Sequence, residues 1–148
     1  MSGRATVLVL ATAAAACDGA PRFTAPMTLG GVEVPAAVLE QGARVYEMRC
    51  ASCHGADGAG QGSAGRALAQ PPRDFRTADF RYGASGPGGL PSDAEFEQTI
   101  RDGRIENGMP AWGTLTADDR HAVVQYLKTF SPRWQSADAD ANPGTGAS

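Results

Sequence analysis

One pentapeptide constrains this chain more than any other feature: Cys50-Ala51-Ser52-Cys53-His54, a C-x-x-C-H pattern. Two thiols three positions apart on one helical turn can reach the two vinyl groups along one haem edge. The next residue then carries its imidazole to the iron, and the pattern is the signature of covalent haem attachment. Three other chemistries compete for it. A thioredoxin-like dithiol calls for a preceding strand in a βαβ context, and no such pattern stands before Cys50. A zinc site needs further Cys or His ligands, and the only other histidine is the distant His121. A structural disulfide between Cys50 and Cys53 leaves His54 unexplained.

Composition agrees with a cofactor-centred domain. The 148 residues suit one domain, and aromatic residues are only 7% against 19 Gly and 10 Pro. Such a chain has little apolar volume for a core, and a large buried cofactor would supply it. The net charge of -3 argues against nucleic acid as a partner, because a phosphate backbone calls for a basic face.

The first residues read as an export signal. Arg4 supplies a positive start, and Val7-Leu8-Val9-Leu10-Ala11 with the alanines that follow supplies a short apolar stretch. Ala14-Ala15-Ala16-Cys17 resembles a bacterial lipoprotein cleavage site, which would place a lipid anchor on Cys17. The family usually has a larger aliphatic residue where Ala14 stands, and ordinary cleavage near the alanine run is the alternative. Both readings take the protein out of the cytoplasm, to a periplasmic or extracytoplasmic location. Residues 17–35, rich in Pro, Gly and small side chains, read as a flexible tether with a root-mean-square reach of roughly 20–25 Å. Residues 131–148 end in SADADANPGTGAS and read as a disordered tail. The expected folded domain is 36–130.

Three helices are legible inside it. Apolar spacing predicts one over Ala36–Arg49. A second spans roughly Ser92 to Asp102, with a Ser92/Glu95 capping box and Gly103 at its C-terminal end. A third spans about Thr116 to Phe130, with Thr116 as cap, Asp118 and Asp119 at its positive end, and Pro132 beyond it. The long Gly- and Pro-rich stretch between His54 and Ser92 needs something to wrap around.

With these features in place, 36–130 resembles a class I c-type cytochrome. Gly42 and Tyr46 stand eight and four residues before Cys50, where that family commonly has a small residue and an aromatic. Val123 and Tyr126, with Leu127 adjacent, match the aliphatic and aromatic of the last helix that crosses this pair. The resemblance implies an all-α cytochrome c fold, three main helices and long loops around one covalent haem c. It also implies that Met109, within Asn107-Gly108-Met109-Pro110-Ala111-Trp112, is the second axial ligand opposite His54. Met27, Met48 and His121 are the other candidates. In the family a proline carbonyl orients the proximal histidine; Pro71 and Pro72 are the two candidates here. Trp112 is either a haem-edge residue donating to a propionate or a plain core residue. Arg73, Arg76 and Arg81 either neutralise propionates, face a partner, or belong to a solvated loop.

The function implied is single-electron transfer between respiratory redox partners by a monomeric carrier with both axial positions filled, not an enzyme. Two alternatives stand beside it: a haem enzyme or gas binder with an open distal site, and a fixed cytochrome subunit of a membrane oxidoreductase complex.

Overall fold

A computed structural model describes residues 21–80 and 89–135. The signal stretch, Cys17 and Arg81 therefore lie outside the described residues, as does the tail from residue 136. The elements run β1 (Met27–Leu29), β2 (Val32–Val34), α1 (Ala36–Arg49), α2 (Ala51–His54), α3 (Asp93–Asp102) and α4 (Ala117–Lys128). Single 3-10 turns lie at Gly65–Ala67, Ile105–Asn107 and Pro132–Trp134. Among the described residues no helix is long and apolar enough to cross a membrane.

The helices start and stop for local reasons. Ser92 Oγ accepts from the Glu95 amide while the Glu95 carboxylate accepts from the Ser92 amide, so the expected capping box closes α3. Gly103, at φ 72, ends it. Thr116 Oγ1 accepts from the Asp119 amide and starts α4. α4 stops at Lys128, two residues short of the expected end, where the Thr129 hydroxyl turns back to the Tyr126 carbonyl at 2.7 Å.

α1 and α4 form the centre of the molecule. α4 buries every residue from Ala122 to Lys128, and α1 buries Leu39, Gly42, Ala43, Val45 and Tyr46. A Cβ built on Gly42 would collide with the Ala122 carbonyl and stand 2.7 Å from Tyr126 Cβ. Only glycine lets these backbones approach so closely, and Tyr46 then meets Tyr126 with ring centroids 5.4 Å apart. The Tyr46 hydroxyl donates to the Gly55 carbonyl at 2.6 Å, just past the pentapeptide. Burial raises its pKa well above the usual phenol value.

Both expected ends of the domain need correction. Residues 17–35 were expected as a tether, but Met27–Leu29 and Val32–Val34 pair antiparallel, with Met27 opposite Val34. The turn is Gly30-Gly31 at φ 59 and 69, which matches the twist of a two-residue hairpin. Leu29 and Val34 enter the core at 0% and 3% exposure. Phe23 stands edge-on to Tyr126 at 6.0 Å, its amide donating to Glu40, and Arg22 pairs with Glu47. At the other end, residues 131–135 are packed where a disordered tail was expected. Trp134 is 5% exposed, and its carbonyl accepts from the Gly30 amide at 2.6 Å. Neither segment carries a local signal of its packing, because that packing depends on partners about a hundred positions away.

A polar cluster of buried Lys128 and Gln125 with half-exposed Asp93 joins α3 to α4. Lys128 Nζ meets Asp93 Oδ1 at 2.5 Å and Gln125 Oε1 at 3.1 Å, and it lies 5.4 Å from the Trp134 ring centroid. Gln125 in turn donates to Asp93 at 2.6 Å. Each member is satisfied, so this charge is tolerated inside.

Candidate functional site

The pentapeptide continues α1 almost without a break. Cys50 is both the C-cap of α1 and the N-cap of α2, its amide bonded to the Tyr46 carbonyl at 2.8 Å. Cys53 and His54 close onto the Cys50 carbonyl at 3.1 and 2.9 Å. The loop that follows then folds back over the turn. Gly60 donates to the His54 carbonyl, Gly62 to Cys53 and Ala64 to Ser52, at 2.7, 3.0 and 2.9 Å. The carbonyls that a short helix leaves open at its end are thereby used. Gly65 lies so close that a Cβ there would strike the Cys53 carbonyl.

Cys50, Cys53, His54 and Met109 all line one cavity of about 390 Å³. Both thiols are free and partly buried. Burial, with the neighbouring Cys53 second, pushes the Cys50 thiol up to about 12. Burial also lowers the His54 pKa, against a smaller raising effect of the Arg73 carbonyl, so the imidazole is neutral at pH 7. His54 Nδ1 lies 3.4 Å from that carbonyl. A carbonyl only accepts, so Nδ1 carries the proton and Nε2 keeps its lone pair. The orienting carbonyl therefore belongs to Arg73, next in the chain after the two expected prolines.

Met109 comes from the far end of the domain. Gly103 and Gly108, at φ 72 and 81, turn the chain on either side of the Ile105–Asn107 turn. Two backbone bonds, Arg104 N–H to Met109 O at 2.9 Å and Met109 N–H to Arg104 O at 3.0 Å, clip the loop at its neck. The Trp112 amide, bonded to the Ile100 carbonyl at 2.9 Å, ties the exit back to α3.

The other sulfur and imidazole candidates lie elsewhere or at the rim. Met27 packs on the core and does not line the cavity. Met48 lines its edge and is 68% exposed. His121 is exposed on α4 with Nδ1 3.6 Å from Glu97, and it does not line the cavity.

Of the arginines singled out in the sequence, Arg73 lines the cavity, whereas Arg76 is held outside it by Asp74 and Asp57 at 2.8 and 3.3 Å. Two arginines missed by sequence reading, Arg49 and Arg104, also line it. The Arg49 guanidinium stands 5.7 Å from the Trp112 ring centroid. That contact joins residues far apart in the chain, and no local pattern signals it. Phe75, also unremarked in the sequence, stacks on the His54 ring.

The lining fits a haem on chemical grounds. Leu68, Phe80, Phe96, Ile100 and Leu127 supply apolar walls around two thiols, a neutral imidazole and a thioether. Among the described residues no cluster of three or more His, Cys, Asp or Glu offers a bare metal site instead.

Known proteins agree with this chemistry. The chain is 34% identical over 104 residues to the Cbb3-type cytochrome c oxidase subunit CcoP of Azospirillum brasilense. The match takes in 70% of this chain but only 31% of that protein, so the chain spans about a third of its relative's length. Among solved structures, it resembles a chain of the Kuenenia stuttgartiensis reducing HAO-like protein complex at a TM-score of 0.62 and 36% identity. That likeness covers 69% of this chain and 46% of the other. Residues 37–127, which run from the first turn of α1 almost to the end of α4 and enclose the whole cavity-lining pentapeptide and the Met109 loop, match the family Cytochrome C oxidase, cbb3-type, subunit III; the chain belongs to that family of class I c-type cytochrome domains.

Proposed function

We propose that this protein is an exported carrier of single electrons between respiratory redox partners, with one haem c joined to Cys50 and Cys53 and ligated by His54 and Met109. The observation that carries this reading is the convergence of four residues, one of them 55 positions from the pentapeptide, on one apolar cavity. When bound, the haem supplies a one-electron iron couple, which a thioether ligand poises toward the reduced state. The chain's own residues do the rest. The cysteines hold by covalent bonds, and the Arg73 carbonyl keeps the His54 proton on Nδ1. Met109 would supply the remaining ligand, which would leave no open position for a substrate. Arg49, Arg73 and Arg104 supply positive charge along the lining where carboxylates of a cofactor can be met.

The test is a pyridine haemochrome spectrum of protein matured with c-type haem machinery, followed by carbon monoxide addition to the reduced form. Two thioether links and resistance to carbon monoxide are expected. Ready carbon monoxide binding would instead favour the haem enzyme or gas binder with an open distal site.

A fixed place in a larger oxidoreductase is a second reading, favoured by the relatives, one named a subunit and the other part of a complex. The packed N-terminal segment bears on it. If Cys17 carries lipid, only residues 18–22 separate the anchor from Phe23, the first residue packed against the core, a reach of about 20 Å. Such a carrier would work close to the membrane surface. Co-purification with a larger oxidoreductase from membranes would support this arrangement, and recovery of free monomer from the periplasm would refute it.

A further inference from the structure

Phe75 belongs to no motif, yet it is the ring that faces the His54 imidazole. The two stack with centroids 4.5 Å apart and planes 18° from parallel. Phe130 stacks behind Phe75 at 6.3 Å and 20°, so three rings stand in file. The file is held from several sides. Phe75 is 8% exposed, and its amide donates to the Gly58 carbonyl at 2.8 Å. Gly58 in turn lies so close to Phe130 that a Cβ there would stand 2.9 Å from Phe130 Cγ. Tyr46 packs edge-on to Phe75 at 6.5 Å and tilted against Phe130 at 5.2 Å.

We propose that Phe75 is a positioning residue for the His54 imidazole, setting the plane of that ring with Phe130 as its support. The proposal rests on His54 being an axial ligand. The hydrogen bond from Nδ1 to Arg73, at 3.4 Å, is at the long edge of useful geometry and constrains the ring weakly. A stacked face constrains it more. Turning the imidazole about its Cβ–Cγ bond drives a ring edge into Phe75, and Phe75 cannot retreat because Phe130 and Gly58 fill the space behind it. The orientation of an axial imidazole controls how the iron's unpaired spin spreads over a haem. The stack thus connects the end of α4 to the electronic state of the site.

The experiment uses the full chain matured to holo-protein, with variants Phe75→Leu, Phe75→Tyr and Phe130→Leu. Haem content is read by pyridine haemochrome. Ligand orientation is read from the hyperfine-shifted haem methyl resonances of the oxidised form, and the reduction potential by titration. Phe75→Leu should keep its haem but change the spread of the methyl resonances and shift the potential. Phe75→Tyr should restore both toward wild type, and Phe130→Leu should move both in the same direction by less. A wild-type methyl pattern and potential in Phe75→Leu would overturn the proposal, as would failure of Phe75→Tyr to restore them. Should Phe75→Leu not accumulate, an unchanged methyl pattern in Phe130→Leu overturns it equally. A wild-type protein with no imidazole signature would sink the ligand assignment itself, a result distinct from an intact ligand insensitive to Phe75.

Discussion

The two sulfur-bearing walls of the cavity are built on different principles. The wall of Cys50, Cys53 and His54 continues a fourteen-residue helix and is wrapped by a loop that uses its open carbonyls. Behind it stand Tyr46, the close crossing at Gly42, and the stack of Phe75 and Phe130. The wall of Met109 is a short loop closed by two backbone hydrogen bonds and two left-handed glycines. The first wall is overdetermined, and its failure would carry the core with it. The second leans on the edge of the core through Met109 and Trp112 and is tied to α3 by one backbone bond, so it is the wall expected to open first. Under the proposed function that asymmetry is what a carrier needs, with permanent attachment at Cys50 and Cys53 and a Met109 that has only to hold its position.

His54→Ala attacks the stronger wall at its chemical centre and should have the largest effect, loss of holo-protein or a grossly altered spectrum. A normal six-coordinate spectrum in this variant would remove His54 from the ligand set. Gly42→Val attacks the same wall through its support. With a Cβ already blocked by Ala122 and Tyr126, separating the helices should cost about 3 kcal/mol, read as a large fall in Tm. An unchanged Tm would show that the crossing has slack which the packing does not suggest.

Met109→Ala tests the weaker wall. Its haem should stay attached, its potential should fall, and the reduced form should bind carbon monoxide. An unchanged potential would point to another sixth ligand. The smallest and most discriminating change is Gly108→Ala, which keeps the thioether but places a Cβ at φ 81. The backbone strain of about 1–2 kcal/mol should appear more in faster carbon monoxide binding than in Tm. If Tm falls while carbon monoxide binding stays slow, the loop is not an independently opening unit and the contrast between the walls is wrong.

Much of the frame was open to inference because it depends on residues close together in the chain. Helix α1 runs from Ala36 to Arg49 as its apolar spacing predicts, and the Ser92/Glu95 box and Thr116 start α3 and α4. The role of Gly42 was implied by the resemblance, which places a small residue eight positions before Cys50, and the close approach to Ala122 agrees with it. The hairpin at Met27–Val34 escaped notice for the opposite reason. Its strands are three residues each, too short to show alternation, and they hold only because Leu29, Val34 and Trp134 bury one another's surroundings.

The pentapeptide that constrains the chain so strongly was decided by sequence alone, since spacing along one turn dictates which atoms can act together. The choice of Met109 as the thioether to watch came from the resemblance that its Gly108-Met109-Pro110 segment carries. Only the tertiary structure decided what surrounds them. It turned the Arg73 carbonyl, not a proline's, toward His54; it brought Arg49 over Trp112; and it filed Phe75 and Phe130 behind the imidazole. These contacts join segments separated by long loops, and closing such loops costs an entropy that no local pattern records and that only the packed whole offsets.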